Sequence, residues 1–319
     1  MPEPTPNHLM LEVARKEEIA RDIVAFELRD PAGAELPPFT GGAHIALRLP
    51  GGTRKYSLCN DPAERDRYLI AVQREAAGRG GSAALVDDTR VGDRLAVAPP
   101  INNFALAPRA TDFIFIAGGI GITPFRAMIH ELQADGRRFR LYYCSRSPKC
   151  TAFRDELAAP ELKGRVVIHH DDGDPARAFD FWPVVEERKN RAHLYCCGPR
   201  SLMEAVRDLT GHWSAAAVHF EAFTEPEKAR LDDRPFRVAL ARSGAEFDVP
   251  VGMTILEAMR AHGHDAPSSC ESGTCGTCRT RLLDGEADHR DLVLAEHERA
   301  DSIMLCVSRA RSPRLVVDR

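Results

Sequence analysis

The rest of the chain is best interpreted from residues 267–278, PSSCESGTCGTC. Three cysteines in this segment follow C-x4-C-x2-C spacing, and a fourth lies well downstream. Thiolates are soft, charged ligands that bind iron, and this spacing is typical of plant-type [2Fe–2S] clusters. Glycines between the cysteines allow backbone N–H groups to approach the sulfurs. The segment therefore predicts a [2Fe–2S] cluster with the metal ligands Cys270, Cys275, Cys278 and Cys306.

Two other metal centres are compatible with part of this pattern. A structural zinc site usually has paired C-x2-C knuckles or added histidines, whereas this segment has a single C-x2-C pair. A Rieske centre replaces two cysteines with two histidines, but His289 is accompanied by four well-spaced cysteines. We therefore expect iron, and a zinc-bound protein would be colourless.

The composition is that of an ordinary globular protein with two or three domains. The chain has 319 residues, of which 44% are hydrophobic and 28% charged, and its net charge is −4. The mixed charges give no sign of nucleic-acid binding, and no apolar run reaches the roughly 20 residues of a membrane span. The polar start, Met1–Pro6, is expected to be a disordered lead-in and not a signal peptide. Nine cysteines, an odd number, favour a reducing compartment, so we expect a cytoplasmic protein. No coiled coil or apolar seam is evident, and we expect a monomer.

Residues 1–105 have the pattern of an antiparallel β-barrel. Short apolar or alternating runs are separated by turn residues about every ten positions. We predict strands at Leu9–Ala14, Ile23–Leu28, Ala43–Leu49, Lys55–Leu58, Tyr68–Gln73 and Arg94–Ala98. A helix is expected near Ser82–Asp88, after a glycine-rich loop.

Two features of this segment favour a bound flavin. The Arg54 guanidinium can bind a phosphate, and Tyr56 lies on the same face of its strand, where the ring can pack on a flavin. Ser57 can form a hydrogen bond with the flavin edge. The loop Gly78–Ser82 opens a helix, whose free N–H groups and dipole favour an anion. Alone, each feature also fits a solvated edge strand or a surface turn, but together they favour a flavin phosphate site.

Residues 106–228 alternate between strands and helices, as in an α/β domain with a parallel sheet. We predict strands at Asp112–Ala117, Arg140–Cys144, Val166–His170 and His193–Cys196. One helix is expected to contain Pro124 in its first turn and to end near Ala134, and another is expected at Ser201–Thr210. The first strand runs into the turn Gly118–Gly121. A strand, a glycine turn and a helix place a pyrophosphate at a helix N-terminus, although the spacing is not G-x-G-x-x-G. Since the predicted turns fall at the carboxyl ends of strands, a dinucleotide is the expected ligand.

Several residues at these strand ends have both a structural and a functional interpretation. Asp171–Asp174 is either a solvated loop or a nucleotide contact, and Cys197 is either a buried small residue or part of the nucleotide site. His169 and His170 are adjacent on a strand and point to opposite faces, so they cannot easily share a ligand. We expect both histidines to be structural.

Residues 236–319 are predicted to form an α+β domain of the β-grasp type around the cysteine segment, after a mobile linker at 229–235. The expected strands are Phe236–Ala241, Ala245–Val249, Arg279–Leu283, Ile303–Cys306 and Leu315–Val317. Thr254 is expected to cap a helix that ends near Ala261.

In this order, the motifs resemble those of the phthalate dioxygenase reductase family over essentially the whole chain. They are Arg54–Asn60, Gly78–Ser82, Gly118–Pro124, Cys197–Pro199, His219–Phe223 and the cysteine segment. The resemblance implies a multidomain protein with an FMN-binding β-barrel at 1–105, an NAD-binding domain at 106–228 and a plant-type ferredoxin domain at 236–319. It also implies NADH as the electron donor and a Rieske-type oxygenase component as a transient electron-transfer partner.

The same resemblance implies roles for individual residues. FMN contacts are expected from Arg54, Lys55, Tyr56, Ser57, Ala71, Val72, Gln73, Arg79, Gly80, Gly81 and Ser82. The nucleotide is expected to contact Gly118, Gly119, Gly121, Thr123, Asp171, Cys197, Gly198 and Pro199. Phe223 is expected to pack on the flavin until nicotinamide displaces it. The residues expected at the site of hydride transfer are Tyr56, Ser57, Thr123, Cys197 and Phe223.

Some choices stay open at the level of sequence. The segment Ser145–Ser147 contains an arginine that could accept the 2′-phosphate of NADPH, whereas Asp171 and Asp172 oppose that phosphate and favour NADH. The choice of FMN over FAD rests on the resemblance. A reductase that releases free reduced flavin and a non-catalytic redox sensor are the alternative functions. The sequence does not identify the oxygenase or its aromatic substrate.

Overall fold

The computed structural model describes residues 8–49, 52–75, 80–223, 230 and 232–319. The chain divides into two compact units, Met1–Leu202 and Met203–Arg319. The expected lead-in at the N-terminus, Gly78 and Arg79, and residues 229 and 231 of the expected linker lie outside the described residues. Within the described ranges, no helix has the length and apolar character needed to cross a membrane.

Six antiparallel strands at the start of the first unit form the predicted β-barrel. They are β1 (Leu9–Ala20), β2 (Ile23–Arg29), β3 (His44–Leu49), β4 (Gly52–Ser57), β5 (Tyr68–Gln73) and β6 (Arg94–Ile101), in the sheet order β4-β3-β6-β1-β2-β5. The helix α1 (Gly81–Asp88) lies between β5 and β6 in sequence. An isolated bridge between Leu58 and Ile70 joins the two outer strands of this order. Closing the sheet in this way protects strand edges that would otherwise be exposed.

Alternating side chains fill the barrel. Leu11 and Val13 of β1, Phe26 and Leu28 of β2, and Ile45 of β3 are all 0% exposed. Successive residues of a strand point to opposite faces, so a spacing of two places these side chains on the inner face. The apolar alternation that predicted the strands is therefore the pattern that builds the core.

Four parallel strands form the central sheet of the following segment. They are β7 (Asp112–Gly118), β8 (Arg138–Ser145), β9 (Val166–His170) and β10 (Ala192–Cys197), in the order β10-β7-β8-β9. The helices after β7, β8, β9 and β10 are α2 (Thr123–Ala134), α3 (Arg154–Leu157), α4 (Trp182–Val185) and α5 (Arg200–Leu209). Phe115 on β7 and Tyr195 on the neighbouring strand β10 are 0% exposed, as expected for a sheet covered on both faces. The carboxyl ends of parallel strands share one edge, where ligands of α/β sheets bind.

Residues 236–319 of the second unit contain a mixed sheet and one α-helix, as an α+β domain requires. The strands of the second unit are β11 (Val218–Glu221), β12 (Phe236–Leu240), β13 (Glu246–Val249), β14 (Arg279–Asp284), β15 (Ala287–Asp288), β16 (Ser302–Met304), β17 (Arg309–Ala310) and β18 (Arg314–Val317). The mixed sheet has the order β13-β12-β18-β14-β16, with β12 and β18 parallel. The helix α6 (Ile255–Ala261) is capped as predicted, because Thr254 Oγ1 accepts from Glu257 N at 3.1 Å and Glu257 Oε2 accepts from Thr254 N at 2.9 Å.

A buried ion-pair network lies in the second unit. The Asp233 side chain is 4% exposed, and it contacts Arg290 and, at 3.5 Å, Arg309 Nε. Arg290 Nε also donates to Asp288 Oδ2 at 2.7 Å. The hydrogen bond from Arg290 is the largest cause that lowers the pKa of Asp233. Asp233 therefore provides negative charge next to two arginine side chains that are themselves about 5% exposed.

We expect Asp233→Ala to destabilise the second unit by about 3–5 kcal/mol, because it leaves two arginines buried without this partner. The free energy of unfolding should be measured by denaturant titration, in which unfolding is monitored by the visible circular dichroism of the expected iron–sulfur cluster. Because the folded pKa of Asp233 is lowered, its contribution is complete at neutral pH and is lost as the pH falls through that lowered pKa.

Asp248→Ala is the matched control, since Asp248 and its partner Arg237 are 71% and 54% exposed. This exposed pair should contribute about 0–1 kcal/mol. Equal effects of the two substitutions would contradict the assignment of Asp233 as a buried anchor.

Candidate flavin, nucleotide and iron–sulfur sites

The residues predicted to bind the flavin phosphate lie close together in the first unit. Arg54 is on β4, Gly81 opens α1, and a Cβ added at Gly81 would lie 2.8 Å from Arg54 Nε. Gly80, just before the helix, has a φ of 80°, a left-handed conformation that glycine adopts at little cost. The first turn of α1 contains no acidic residue. The two motifs therefore form one place where an anion would meet both a guanidinium and a helix N-terminus.

The end of β5 is linked to the same helix. Ala71–Gln73 pair with β2 in the barrel. Just beyond them, Glu75 N donates to Ser82 Oγ at 3.1 Å, and Arg74 Nη2 donates to Asp87 Oδ2 at 2.8 Å. The predicted flavin residues of β5 and of α1 therefore belong to one region of the barrel.

Tyr56 and Ser57 lie at the open end of the β3–β4 hairpin. Tyr56 is half-buried against the barrel core, and burial raises the pKa of its phenol to about 12. Ser57 is 4% exposed and stands opposite His44 in the strand register. Burial lowers the pKa of His44 to about 4. Both rings are therefore neutral at physiological pH, and the positive charge of this region comes from the two basic residues that precede Tyr56 on β4.

The two glycine-rich turns of the parallel sheet are in direct contact. A Cβ added at Gly121 would lie 2.2 Å from Cys197 O, and one added at Gly118 would lie 2.6 Å from Pro199 Cδ. A Cβ added at Gly198 would lie 2.9 Å from Gly118 Cα. Any side chain at these positions would displace the neighbouring backbone. The structure thus brings together the two segments that were independently predicted to bind the nucleotide.

Thr123 and Asp171 lie at two different positions along the same edge of the sheet. Thr123 is the first residue of α2, is 2% exposed, and donates through Oγ1 to Ile120 O at 3.0 Å. Asp171 follows β9, and its Oδ1 accepts from Gly173 N at 2.8 Å. β9 is two strands away from β7, which corresponds to a separation of roughly 10 Å. An extended dinucleotide could therefore contact these two positions through different parts of its length.

The other residues singled out by the sequence have simpler surroundings. His169 Nε2 contacts Arg177 O at 2.7 Å, and His170 Nε2 contacts Thr151 Oγ1 at 3.0 Å. The two histidines therefore have different partners, as their adjacent strand positions predicted. Phe223 belongs to the second unit and is 40% exposed, so its contact with the flavin stays a prediction.

The four cysteines predicted to bind iron form two pairs in the second unit. Cys278 Sγ and Cys306 Sγ are 3.1 Å apart, and Cys270 N donates to Cys275 Sγ at 3.5 Å. Among the residues that the structure describes, no group of three His, Cys, Asp or Glu side chains is placed to bind a single metal ion. Two pairs of thiols are the donor set of a binuclear cluster, with two sulfurs for each iron. The residues present therefore fit a [2Fe–2S] cluster.

The loop around Cys270 supplies donors to its sulfur. Ser272 N and Thr274 N both lie 3.4 Å from Cys270 Sγ. The pKa of Cys270 is lowered to about 4, mainly by the hydrogen bond from Cys275, and the pKa of Cys275 is raised. This split is expected when two neighbouring sulfurs share one proton. The two backbone donors thus favour the thiolate form of Cys270.

Sequence reasoning missed two groups of paired charges. One is the buried network around Asp233 described above. The other is Arg126 on α2, which forms a bidentate ion pair with the more exposed Glu156 and donates a hydrogen bond to Cys59 O. Neither group follows a recognisable spacing in the sequence, so no local signal could have identified it.

Comparisons with known proteins agree with these sites. Two family models match: a 2Fe-2S iron-sulfur cluster binding domain over residues 238–311, and an oxidoreductase NAD-binding domain over residues 115–208. Phthalate dioxygenase reductase from Burkholderia cepacia is 54% identical over 312 residues, which cover 97% of each chain. The phthalate 4,5-dioxygenase oxygenase reductase subunit from Pseudomonas putida is 54% identical over 310 residues, covering 97% of this chain and 96% of the relative.

A solved structure of phthalate dioxygenase reductase is also similar over nearly the whole chain. It is described as a modular structure for electron transfer from pyridine nucleotides to [2Fe-2S]. It is 54% identical, covers 98% of both chains and has a TM-score of 0.71.

The fold and the three sites define an NADH-dependent oxidoreductase that contains FMN and a [2Fe–2S] cluster. Its flavin domain is the barrel, its nucleotide domain contains the parallel sheet, and its ferredoxin domain contains the paired cysteines. The chain belongs to the phthalate dioxygenase reductase family.

We expect Gly273→Ala to lower the amount of bound cluster severalfold. Gly273 has a φ of +75°, and an added Cβ would lie 2.8 Å from Val307 Cγ2 and 3.1 Å from Asp291 Cα, so the cysteine loop would have to move. Iron and acid-labile sulfide should be quantified per protein chain. Gly263→Ala is the control, because Gly263 has a φ of +77° but nothing within 4 Å of an added Cβ. Equal losses in both variants would show that backbone strain alone causes the effect.

We expect Arg54→Ala to weaken FMN binding by about 10- to 100-fold, as expected for the loss of a charged hydrogen bond to phosphate. Riboflavin, which has no phosphate, should bind the variant and the unsubstituted protein equally. Flavin fluorescence titration of the deflavinated protein measures both affinities. Arg48→Ala, at an exposed position on β3, should leave both unchanged. An equal loss of affinity for FMN and riboflavin would assign Arg54 to the flavin ring or to the fold.

Proposed function

We propose that this protein is the reductase component of a Rieske-type aromatic-ring oxygenase system of the phthalate dioxygenase kind. It takes electrons from NADH and delivers them through FMN and the [2Fe–2S] cluster to the oxygenase. The observation that carries this proposal is the presence, on one chain, of the flavin region around Arg54, the paired glycine turns of the nucleotide site and the paired cysteines. A pyridine nucleotide delivers electrons in pairs, whereas a [2Fe–2S] cluster accepts them singly, and the flavin supplies the chemistry that connects the two.

The protein residues have the task of positioning, because hydride transfer itself needs no acid or base. Gly118, Gly119, Gly121, Gly198 and Pro199 would line the pyrophosphate. Thr123 and Cys197 would flank the nicotinamide, while Tyr56 and Ser57 would orient the flavin. Phe223 would occupy the nicotinamide position until NADH displaces it.

The nucleotide specificity proposed for the site is NADH. Asp171 and Asp172 follow β9, and in this proposal their negative charge would face the 2′-phosphate of NADPH. Asp172 is paired with Arg177, and Asp171 accepts from Gly173 N, so both carboxylates are held in the loop. Repulsion of a phosphate by these carboxylates favours the unphosphorylated nucleotide.

The cluster end is proposed to contact the oxygenase transiently. Thr277 in the cysteine loop is exposed, and Cys275 is partly exposed, so a cluster held by this loop would lie near the surface of the second unit. Weak, small interfaces are typical of electron-transfer encounters.

We propose that the protein is a cytoplasmic monomer. The odd number of cysteines suggests that they are reduced, which is consistent with the cytoplasm. An aromatic carboxylate is the proposed substrate class of the partner, because the relatives are named for phthalate.

Replacing Cys275 by serine tests the order of electron transfer. Cys275→Ser should abolish reduction of the oxygenase component while leaving NADH-dependent ferricyanide reduction by the flavin within about twofold, because the substitution removes only a cluster ligand. Stopped-flow and steady-state assays with the flavin-loaded variant measure the two activities.

Cys150→Ser is the control, since Cys150 lies near Ser147 in the first unit, whereas the cysteine loop belongs to the second unit. It should retain both activities. Loss of both activities in a folded, flavin-loaded Cys275→Ser variant would contradict the order NADH, FMN, cluster. A chain that turns over no NADH at all would instead support the redox-sensor alternative, and rapid loss of flavin on gel filtration would support the free flavin reductase.

A further inference from the structure

The helix α2 carries Thr123 at its start and is attached to the flavin barrel one turn later. Arg126 lies three residues after Thr123, so the two residues share one side of the helix. The guanidinium of Arg126 donates through Nη1 to the backbone oxygen of Cys59. Cys59 is two residues beyond Ser57, the last residue of β4. One side chain therefore connects the segment proposed to bind nicotinamide with the strand proposed to bind flavin.

The oxygen that Arg126 contacts is itself held firmly. Cys59 is 0% exposed, its N–H donates to Leu69 O at 2.9 Å, and its Sγ donates to the same oxygen at 3.2 Å. The next residue, Asn60, accepts from Leu69 N at 2.9 Å and donates to Arg67 O at 3.2 Å. These bonds fix the segment after β4 to the segment that leads into β5. The Cys59 carbonyl is therefore a rigid point of the barrel.

The guanidinium is held from the other side by the short helix α3. Arg126 Nε lies 2.9 and 3.0 Å from the two carboxylate oxygens of Glu156, and Nη2 lies 2.8 Å from Oε2. The ring of Phe153 lies beneath the guanidinium, 4.9 Å from its carbon Cζ. Phe153 has a φ of +56°, a conformation that is uncommon for a residue with a side chain and that needs support from its surroundings.

The helix α3 is in turn attached to the parallel sheet. Ala152 N donates to Tyr143 OH at 3.1 Å, and Tyr143 on β8 is 0% exposed. Arg126 therefore bridges two supports, the sheet through Glu156 and the barrel through Cys59. The Arg126 side chain is 16% exposed and the Glu156 side chain is 40% exposed, so the bond to the buried Cys59 carbonyl is better shielded from water than the ion pair.

A second attachment lies on the other side of the same hairpin end. Gly41 N donates to Glu131 Oε2 at 2.8 Å, and a Cβ added at Gly41 would lie 2.7 Å from Met128 Cα. Gly41 precedes β3, and His44 at the start of β3 pairs with Ser57 at the end of β4. The helix α2 therefore contacts the open end of the β3–β4 hairpin both before β3 and after β4.

We propose that Arg126 is a positioning residue, which fixes the register between the nicotinamide turn at Thr123 and the flavin strand at Ser57. This inference rests on the proposed function, because it takes the flavin and nicotinamide positions from it. Hydride transfer requires the donor carbon and the acceptor atom to be held at close distance, and a misplacement of about 1 Å can lower the rate about 100-fold. Arg126 contacts neither cofactor in this proposal; it acts through Cys59 and α2.

The test is the anaerobic reduction of the flavin by NADH in the holoenzyme, followed by stopped flow. Arg126→Gln should lower the limiting rate of flavin reduction by about 10- to 100-fold. The Kd for NADH, obtained from the concentration dependence, and the flavin content should stay within about twofold. Deuterated NADH should give a larger isotope effect in the variant, because hydride transfer becomes more fully rate-limiting.

Two further variants test the planar guanidinium of Arg126 and its ion pair with Glu156. Arg126→Lys keeps the charge but cannot bridge Glu156 and Cys59 in the same way, so it should be about as slow as Arg126→Gln. Glu156→Gln keeps the shape but weakens the ion pair, and a smaller loss of about 3- to 10-fold is expected. Arg138→Gln is the control, because Arg138 pairs with Asp112 at 2.7 Å at the opposite end of the sheet. It should reduce the flavin at the unsubstituted rate.

The outcomes separate the alternatives. An unchanged limiting rate in Arg126→Gln, or a weaker NADH affinity at an unchanged rate, would overturn the positioning role. If Arg126→Gln loses its flavin or does not fold, the rates of Glu156→Gln and Arg126→Lys decide, and unsubstituted rates in both would overturn the proposal. If NADH does not reduce the flavin of the unsubstituted protein, the proposed function fails first, which distinguishes that failure from the failure of the Arg126 role alone.

Discussion

Much of this structure depends on the contact between the backbone turns at the ends of two neighbouring parallel strands. Gly121 lies so close to the Cys197 carbonyl that an added Cβ would be 2.2 Å from its oxygen. Because no side chain separates the turns, the backbone N–H groups at the start of α2 and the residues after β10 face one common surface. That surface lies at the edge where open α/β sheets bind their ligands, and it is the dinucleotide site proposed above. Because α2 begins at Thr123, two residues after Gly121, the same contact constrains where the helix starts.

Local patterns predicted much of the fold because the corresponding interactions are local. β5 and β9 have the predicted bounds, and α6 begins at the predicted cap, since alternation and capping depend on residues that are near in sequence. Charged strand segments were harder to predict. β1 extends to Ala20, well beyond the predicted end at Ala14, because residues 15–20 pair with β2 although several of them are charged.

The functional regions were predictable where a motif reflects a physical need. Glycine is needed where Gly121 meets Cys197. A basic residue near the start of a helix suits a phosphate. Arg54 and Gly81 were both identified from this requirement, and the structure places them side by side. The paired cysteines follow from spacing in the same way. Arg126 and Asp233 were missed because their partners are distant in sequence and belong to no repeated spacing. The burial and the ion pairs of such residues arise only when distant segments pack together, so the local sequence does not predict them.

The choice of an arginine at position 126 has a physical explanation. The Cys59 carbonyl is buried, and a buried carbonyl that loses its donor costs about 1–3 kcal/mol. An apolar side chain could fill the same space but would leave that oxygen unsatisfied, and a lysine could not present several N–H groups in one plane. The guanidinium can satisfy the carbonyl, bind both oxygens of Glu156 and pack on Phe153 at the same time. A single side chain can therefore join the barrel, the sheet and the helix that carries Thr123. Hydride transfer is the step that most requires such precise positioning of the two rings. Electron transfer to the cluster requires it less, because it does not depend on contact between two reacting atoms.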